Sequence, residues 1–298
     1  MSFERIIGND KVKQFLNKAI NENHILHSYL FSGIEGIGKK LFAIEFAKKI
    51  LCIEQNDEQE NCLSCLKFKS SNHPDFMILE PENNVIKIEQ IRNMQEKISE
   101  KPIVSKKKVY IIVDSDCMTK EAQNCLLKTL EEPPEYATII LTTANESKLL
   151  NTIKSRCIKV KFNGLLENEI NQYLEQNEIV VNEENYIKIS QGSIGKLLDI
   201  KEDEDVYNQV NIVLENIDKN TLIDILNKAE ILYSQKDKIQ EILDYINIYL
   251  YNTKDIRKIN CIEYVEDTKR RLISNGNYDM CIDYLLLRMW ERINYYNV

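Results

Sequence analysis

A chain of 298 residues can bury a large core, and its formal net charge of −8 excludes a broad basic surface given over to nucleic acid. No apolar run is long enough to span a bilayer, and Met1–Arg5 lacks the basic-then-apolar order of a secretory leader, so the expectation is a soluble, cytoplasmic protein. Eight cysteines in such a chain predict core thiols, with metal sites where spacing permits, rather than a disulfide scaffold.

All five prolines fall between Pro74 and Pro134, and four of the eight glycines fall within the first 38 residues. Because these residues punctuate turns, the first half predicts short alternating elements and the second half long helices. In chain order, apolar runs at Ser28–Phe31, Asp75–Leu79, Val109–Val113, Thr138–Leu141 and Ile158–Phe162 predict buried parallel strands. Helical patterns such as Leu41–Leu51 and Ile88–Ser99 fall between them, which implies an α/β domain with a five-stranded parallel sheet covered on both faces. Beyond Gly164 the period is helical. Ile239, Ile242, Leu243, Ile246 and Leu250 form one stripe, and Ile282, Leu285, Leu286, Met289 and Ile293 another, as core stripes of an all-α bundle. Boundaries are expected near Asn163-Gly164 and in the acidic run Lys201–Asp205, giving domains 1–162, 163–205 and 206–298.

The first strand runs into Gly33-Ile34-Glu35-Gly36-Ile37-Gly38-Lys39-Lys40, a Gly-x-x-x-x-Gly-Lys phosphate loop that opens a helix. The main-chain N–H groups around Gly33, Gly36 and Gly38 can converge on a phosphate, and Lys39 can reach its terminal oxygens. Lys40 stands where a Ser or Thr hydroxyl ligates magnesium, and an ammonium has no lone pair for a metal. Asp114 ends the Val109–Val113 strand where P-loop proteins hold the metal, but the next position, used by hydrolysing relatives for a glutamate, is Ser115. Asp116 lies close in sequence, although strand alternation turns it elsewhere. Thr142-Thr143-Ala144-Asn145 offers a polar strand end, with Asn145 either sensing a phosphate or capping the loop. Arg156, in Ser155-Arg156-Cys157 at the domain rim, suits an arginine finger offered to a neighbour, or an ordinary surface ion pair.

Ala122 through Pro134 (AQNCLLKTLEEPP) resembles the clamp-loader branch of AAA+ proteins. So do its spacing to Thr142–Asn145 and to Ser155-Arg156-Cys157, together with Ile7-Gly8-Asn9 and His73-Pro74-Asp75. The motifs cover residues 1–200, while 208–298 agree only in size and helicity. The resemblance implies an AAA+ module, a small helical lid and a helical collar that oligomerises. It implies a hetero-pentamer with delta and gamma/tau clamp-loader subunits that loads a sliding clamp onto primer-template DNA. Gly195, after Gly192-Ser193-Ile194, falls where the family's active ATPases place a second-sensor arginine. Lys40, Ser115 and Gly195 together imply a stator that holds ATP without hydrolysing it, if it binds ATP at all. Its Arg156 would complete a neighbour's ATP site. The alternative within the family is a gamma/tau-like motor that hydrolyses ATP itself.

Family members also carry a four-cysteine zinc module between the phosphate-loop helix and the second strand. Here the resemblance implies Cys52, Cys62 and Cys65 as zinc ligands, with Gln59 at the remaining position. Glu58, Glu60 and His73 are candidate fourth ligands, and a reduced, metal-free hairpin is the alternative.

Overall fold

The computed structural model describes residues 3, 6–54, 61–181, 184–228 and 230–295. Two compact units emerge. One comprises Met1–Ile179 with Gly192–Gly195, and the other Val180–Gln191 with Lys196–Val298.

The first unit is built on five parallel strands, β1 (Ser28–Ser32), β2 (Phe76–Leu79), β3 (Lys108–Ile112), β4 (Ala137–Thr143) and β5 (Ile158–Lys161). They form one sheet in the order β2-β3-β4-β1-β5. Every strand expected from the apolar runs is present, displaced by at most two residues at either end. β1, β3 and β4 are buried along their whole length, the mark of parallel strands covered on both faces. Alternation divides their side chains between two cores. Tyr29, Phe31, Val109, Ile111 and Ile140 pack with Phe42, Phe46 and Phe162 on one face. Leu30, Tyr110, Ile112, Ile139 and Leu141 pack with Ile91, Met94, Leu126 and Leu130 on the other.

Helices α1 (Asp10–Asn21) and α2 (Lys39–Leu51) supply the first of these layers, with the short α3 (Leu63–Lys69) following. α4 (Ile88–Ser99) and α5 (Lys120–Glu131) supply the second, and α6 (Asn151–Lys154) and α7 (Glu167–Gln176) flank β5 in sequence. α2 begins two residues before the pattern predicts, because Lys39 and Lys40 are helical as well as basic.

The His73-Pro74-Asp75 entry to β2 is a hydrogen-bonded junction. Asp75 is fully buried, and its carboxylate accepts main-chain N–H bonds from Ile103 at 2.7 Å, Val104 at 2.7 Å and Ser105 at 2.8 Å. His73 Nδ1 accepts from the Asp75 N–H at 3.1 Å, so Nε2 carries the ring proton toward Ser64 Oγ at 2.9 Å.

The second unit is helical throughout its described residues. It contains α8 (Glu184–Ile189), the body of α9 (Ile194–Glu202), α10 (Glu204–Glu215), α11 (Leu222–Lys228), α12 (Glu230–Ser234), α13 (Ile239–Asn252), α14 (Ile256–Ile259), α15 (Ile262–Ile273) and α16 (Tyr278–Tyr295). Both periodic stripes are buried, on α13 and α16. Tyr186, Tyr207 and Tyr245 meet at its centre, the last two with ring centroids 4.8 Å apart. Among the described residues no helix is long and apolar enough to cross a membrane.

Candidate nucleotide site and outward arginine

The glycine loop leaves the carboxyl end of β1, between the central strand β4 and the edge strand β5, and open α/β sheets bind ligands outside the carboxyl ends of their strands. Gly33 N–H donates to the Thr143 carbonyl at 3.2 Å, which ties the loop's start to the end of β4. Phe42, Ala43, Phe46 and Ala47 bury one face of α2 and so fix its N-terminus at that edge. Lys39 is 6% exposed and donates to the carbonyls of Gly33 and Ile34, each at 2.8 Å. Among the described residues these two carbonyls are its hydrogen-bond acceptors. Burial lowers the Lys39 pKa, and the charges of Asp114, Glu35 and Asp116 oppose that shift.

Lys40 is engaged by a carboxylate. Its ammonium pairs with Glu80, just past the end of β2, with both side chains about half exposed. A charge that would have favoured phosphate is therefore offset by a carboxylate.

Asp114 has left-handed backbone torsions (φ 46°), and its N–H donates to Thr142 Oγ1 at 3.1 Å. Burial raises its pKa, opposed by the neighbouring Lys39 ammonium. Ser115 is buried and donates to the Thr142 carbonyl at 2.9 Å, so its hydroxyl braces main chain and supplies no base. Asp116 corrects the alternation argument. The chain stops being extended at Asp114 and enters a 3-10 turn, Ser115–Cys117. That turn brings Asp116 back to the end of β4, where it accepts from Thr143 Oγ1 at 2.8 Å. Lys39, Asp114 and Asp116 thus gather at one place. Asn145 does not join them by any hydrogen bond among the described residues. Its Oδ1 accepts from Ser147 N–H at 3.0 Å, so the side chain caps the following 3-10 turn. Gly195, beside the loop, donates its N–H to the Gly36 carbonyl at 3.0 Å.

Arg156 lies at the opposite edge of the sheet. Its carbonyl accepts from Ser28 Oγ at 2.6 Å, at the first residue of β1, whereas the glycine loop follows the last. Five extended residues separate the two ends, about 17 Å at 3.3 Å per residue. The guanidinium pairs with Glu131 at 2.6 Å and donates to the Thr152 carbonyl at 2.9 Å. Sequence reasoning passed over Gln123, a buried amide on α5 that binds the carbonyls of Met118 and Lys148 and accepts from Leu150 N–H at 2.8 Å. It links α5 to the segment leading into α6 and Arg156. A polar residue on the buried stripe of a helix was the signal available.

The three cysteines expected to act together do so. Cys52 Sγ lies 3.9 Å from Cys62 Sγ and 3.7 Å from Cys65 Sγ, and all three lie within 4.8 Å of one another. With metal–sulfur bonds of about 2.3 Å, the corners of a tetrahedron around zinc are about 3.8 Å apart, so the three sulfurs fit zinc's geometry. Main-chain N–H groups around Cys62, which caps α3, offset burial and bring its thiol to about 7. His73 is not a fourth ligand, since Ser64, Ser105 and the Asp75 N–H occupy its ring nitrogens. Glu58, Gln59 and Glu60 lie outside the described residues. The structure joins none of the eight cysteines in a disulfide.

With this geometry established, known proteins give it a context. The family described as "DNA polymerase III, delta subunit" matches residues 8–165, just over half of the chain. The DNA polymerase III subunit delta' of Bacillus subtilis is 38% identical over 170 residues, covering 57% of this chain and 52% of that protein. The DNA polymerase III subunit tau/gamma of Haemophilus influenzae is 32% identical over 241 residues, covering 76% of this chain and 35% of its own. The chain therefore spans about half of the first relative and about a third of the second. In fold it is similar to the crystal structure of a DNA polymerase III gamma subunit-related protein from Thermotoga maritima. That likeness has a TM-score of 0.53 at 20% identity and covers 94% of this chain and 99% of the other.

Proposed function

The chain belongs to the DNA polymerase III delta-subunit family, whose fold here is an AAA+ P-loop domain followed by helices, and from that premise we propose that it is a delta-prime stator. In this reading it sits in a clamp-loader ring with gamma/tau and delta subunits, in the cytoplasm. It hydrolyses no ATP itself and presents Arg156 to the ATP held by an adjacent subunit, while the ring opens a sliding clamp on primer-template DNA. The three-domain division at 162 and 205 belongs to the same proposal.

One observation carries it. Arg156 sits a strand's length from the glycine loop of its own chain, at the other end of β1, out of reach of a phosphate held there. This supports a role toward a neighbour, for which it would have to leave its pair with Glu131. The local chemistry supports the rest. Lys40 is bound to Glu80 and Ser115 to main chain, so neither the metal-ligating hydroxyl nor the adjacent base is present. The intact loop N–H groups and Lys39 still suit a phosphate, and ATP held without turnover fits that inventory.

A gamma/tau-like motor is the second reading. The gathering of Asp114 and Asp116 near Lys39 favours it, since either carboxylate can hold a hydrated metal. Hydrolysis by the isolated chain separates the two. The stator gives no ATPase above background, whereas single-turnover hydrolysis abolished by Lys39→Ala would establish the motor. Calorimetric titration of ATP with and without magnesium reads occupancy in the same samples. The stator expects binding, where present, to be unchanged by magnesium.

We further propose that Cys52, Cys62 and Cys65 hold zinc as a structural brace at the end of α2, its fourth position filled from outside these three thiols. Protein purified without chelator is expected to carry close to one zinc per chain, and Cys62→Ser to lose most of it. A metal-free wild-type chain with all thiols titratable would refute the assignment.

A further inference from the structure

The absence of an arginine at position 195 reads from sequence as one more lost catalytic part. The geometry around Gly195 gives it a positive role instead. An ideal Cβ at residue 195 would lie 2.8 Å from Gly36 Cα and 3.3 Å from Gly36 O, both backbone atoms that cannot turn aside as a side chain does. The same residue donates its N–H to the Gly36 carbonyl at 3.0 Å. Residue 195 is in the first turn of α9, where N–H groups have no partner inside their own helix. The glycine loop supplies that partner.

The segment is fastened at its other end as well. Gly192 accepts from Leu165 N–H at 2.9 Å, has φ +87°, and would drive a Cβ to 2.5 Å from Leu165 N and 2.6 Å from Gly164 Cα. Residues 192–195 therefore form a strap bound at both ends to the unit that carries the loop, through contacts that only glycine permits at each end. Phosphate loops bind anions through their N–H groups. The strap uses a carbonyl, and Lys39 uses two more, at Gly33 and Ile34. The loop is thus braced from its carbonyl side by the chain itself.

We infer that Gly195 is a positioning residue that, through Gly36, holds the glycine loop in one conformation whether or not nucleotide is present. In a switch the phosphate orders the loop and the loop reports it. In this chain the strap does the ordering, so nothing remains for nucleotide to change. The inference rests on the stator reading and supplies its physical basis.

Hydrogen exchange on the purified full-length chain, read in peptides covering 33–40 and 192–197 with and without ATP and magnesium, tests it. The expected result is protection of the 192–197 peptide in the nucleotide-free wild type that ATP does not increase, with any slowing in 33–40 confined to N–H groups that bond phosphate directly. Gly195→Ala should speed exchange in both peptides by about tenfold or more while leaving α5 unchanged, as local opening without global unfolding does. A wild-type strap, residues 192–197, that exchanges fast until ATP is added would overturn the inference, as would a folded Gly195→Ala chain with wild-type protection. Should the variant fail to fold, the wild-type arm decides alone. Hydrolysis by a chain whose strap is protected and ATP-insensitive would sink the stator reading and leave the strap standing.

Discussion

Arg156→Ala is expected to lower hydrolysis of the ATP it adjoins in the assembled clamp-loader complex by about three orders of magnitude, the scale on which arginine fingers act. The loss should appear in kcat, because the guanidinium stabilises charge that develops on the transferring phosphate rather than charge already present in bound ATP. Arg156→Lys should recover little, since an ammonium keeps the charge but not the planar fork. The isolated chain should fold as before. The side chain is 33% exposed and its pair with Glu131 at 2.6 Å is partly solvated, an arrangement worth about 0–1 kcal/mol. Gel filtration of the reconstituted ring with gamma/tau-type and delta partners checks that assembly survives, and a DNA-stimulated ATPase assay reads the effect. Full activity in a correctly assembled mutant ring would remove Arg156 from the site and leave it a surface ion pair.

What made Arg156 legible was its place in the chain, directly before an expected strand. The same reading put it at the domain rim, and the parallel register of β5 beside β1 adds that it lies at the starting ends of those strands. The sheet was readable for a related reason. Fully buried parallel strands are short runs of Val, Ile, Leu and aromatic residues, as in β1, β3 and β4. The edge strand β5 instead alternates Ile-Lys-Val-Lys and buries only Val160, so it is not the buried strand expected of it. Asp116 was misjudged because alternation holds only while the chain stays extended, and Asp114 ends the extended stretch with φ 46°. The cap that Asn145 Oδ1 makes to Ser147, two residues on, is a detail that no pattern of strand ends reveals. Gly195 shows the limit most clearly. In sequence it is a missing arginine, and in space it is the one residue type that lets a helix N-terminus rest on the phosphate loop. The sequence records which atoms are present, but not that two backbones approach within the thickness of a methyl group.

The second large effect is expected away from the phosphate chemistry. Asp75→Ala should lower the stability of the first unit by about 3–5 kcal/mol, since it strips a buried carboxylate from three main-chain N–H groups and leaves those donors without acceptors. A hydrogen bond to a charged group contributes more than a neutral one, and the larger part of the cost is the desolvation of the orphaned donors. The damage should reach the phosphate-loop helix. Ser105, held by Asp75, donates at 2.6 Å to the carbonyl of Leu51, the last residue of α2, and Ser64 donates to the same carbonyl at 2.7 Å. Asp75→Asn keeps one good acceptor and turns an NH2 group toward the remaining donors, so it should cost roughly half as much or more, not recover the wild type. Thermal and urea unfolding of the two variants, followed by a probe in the sheet domain, measure the difference. Because the second unit has its own core, its transition should stay where it is while that of the first moves. An Asp75→Ala chain within about 1 kcal/mol of wild type would mean that water replaces the carboxylate at the 103–105 turn. The His73-Pro74-Asp75 motif would then owe its place to something other than stability.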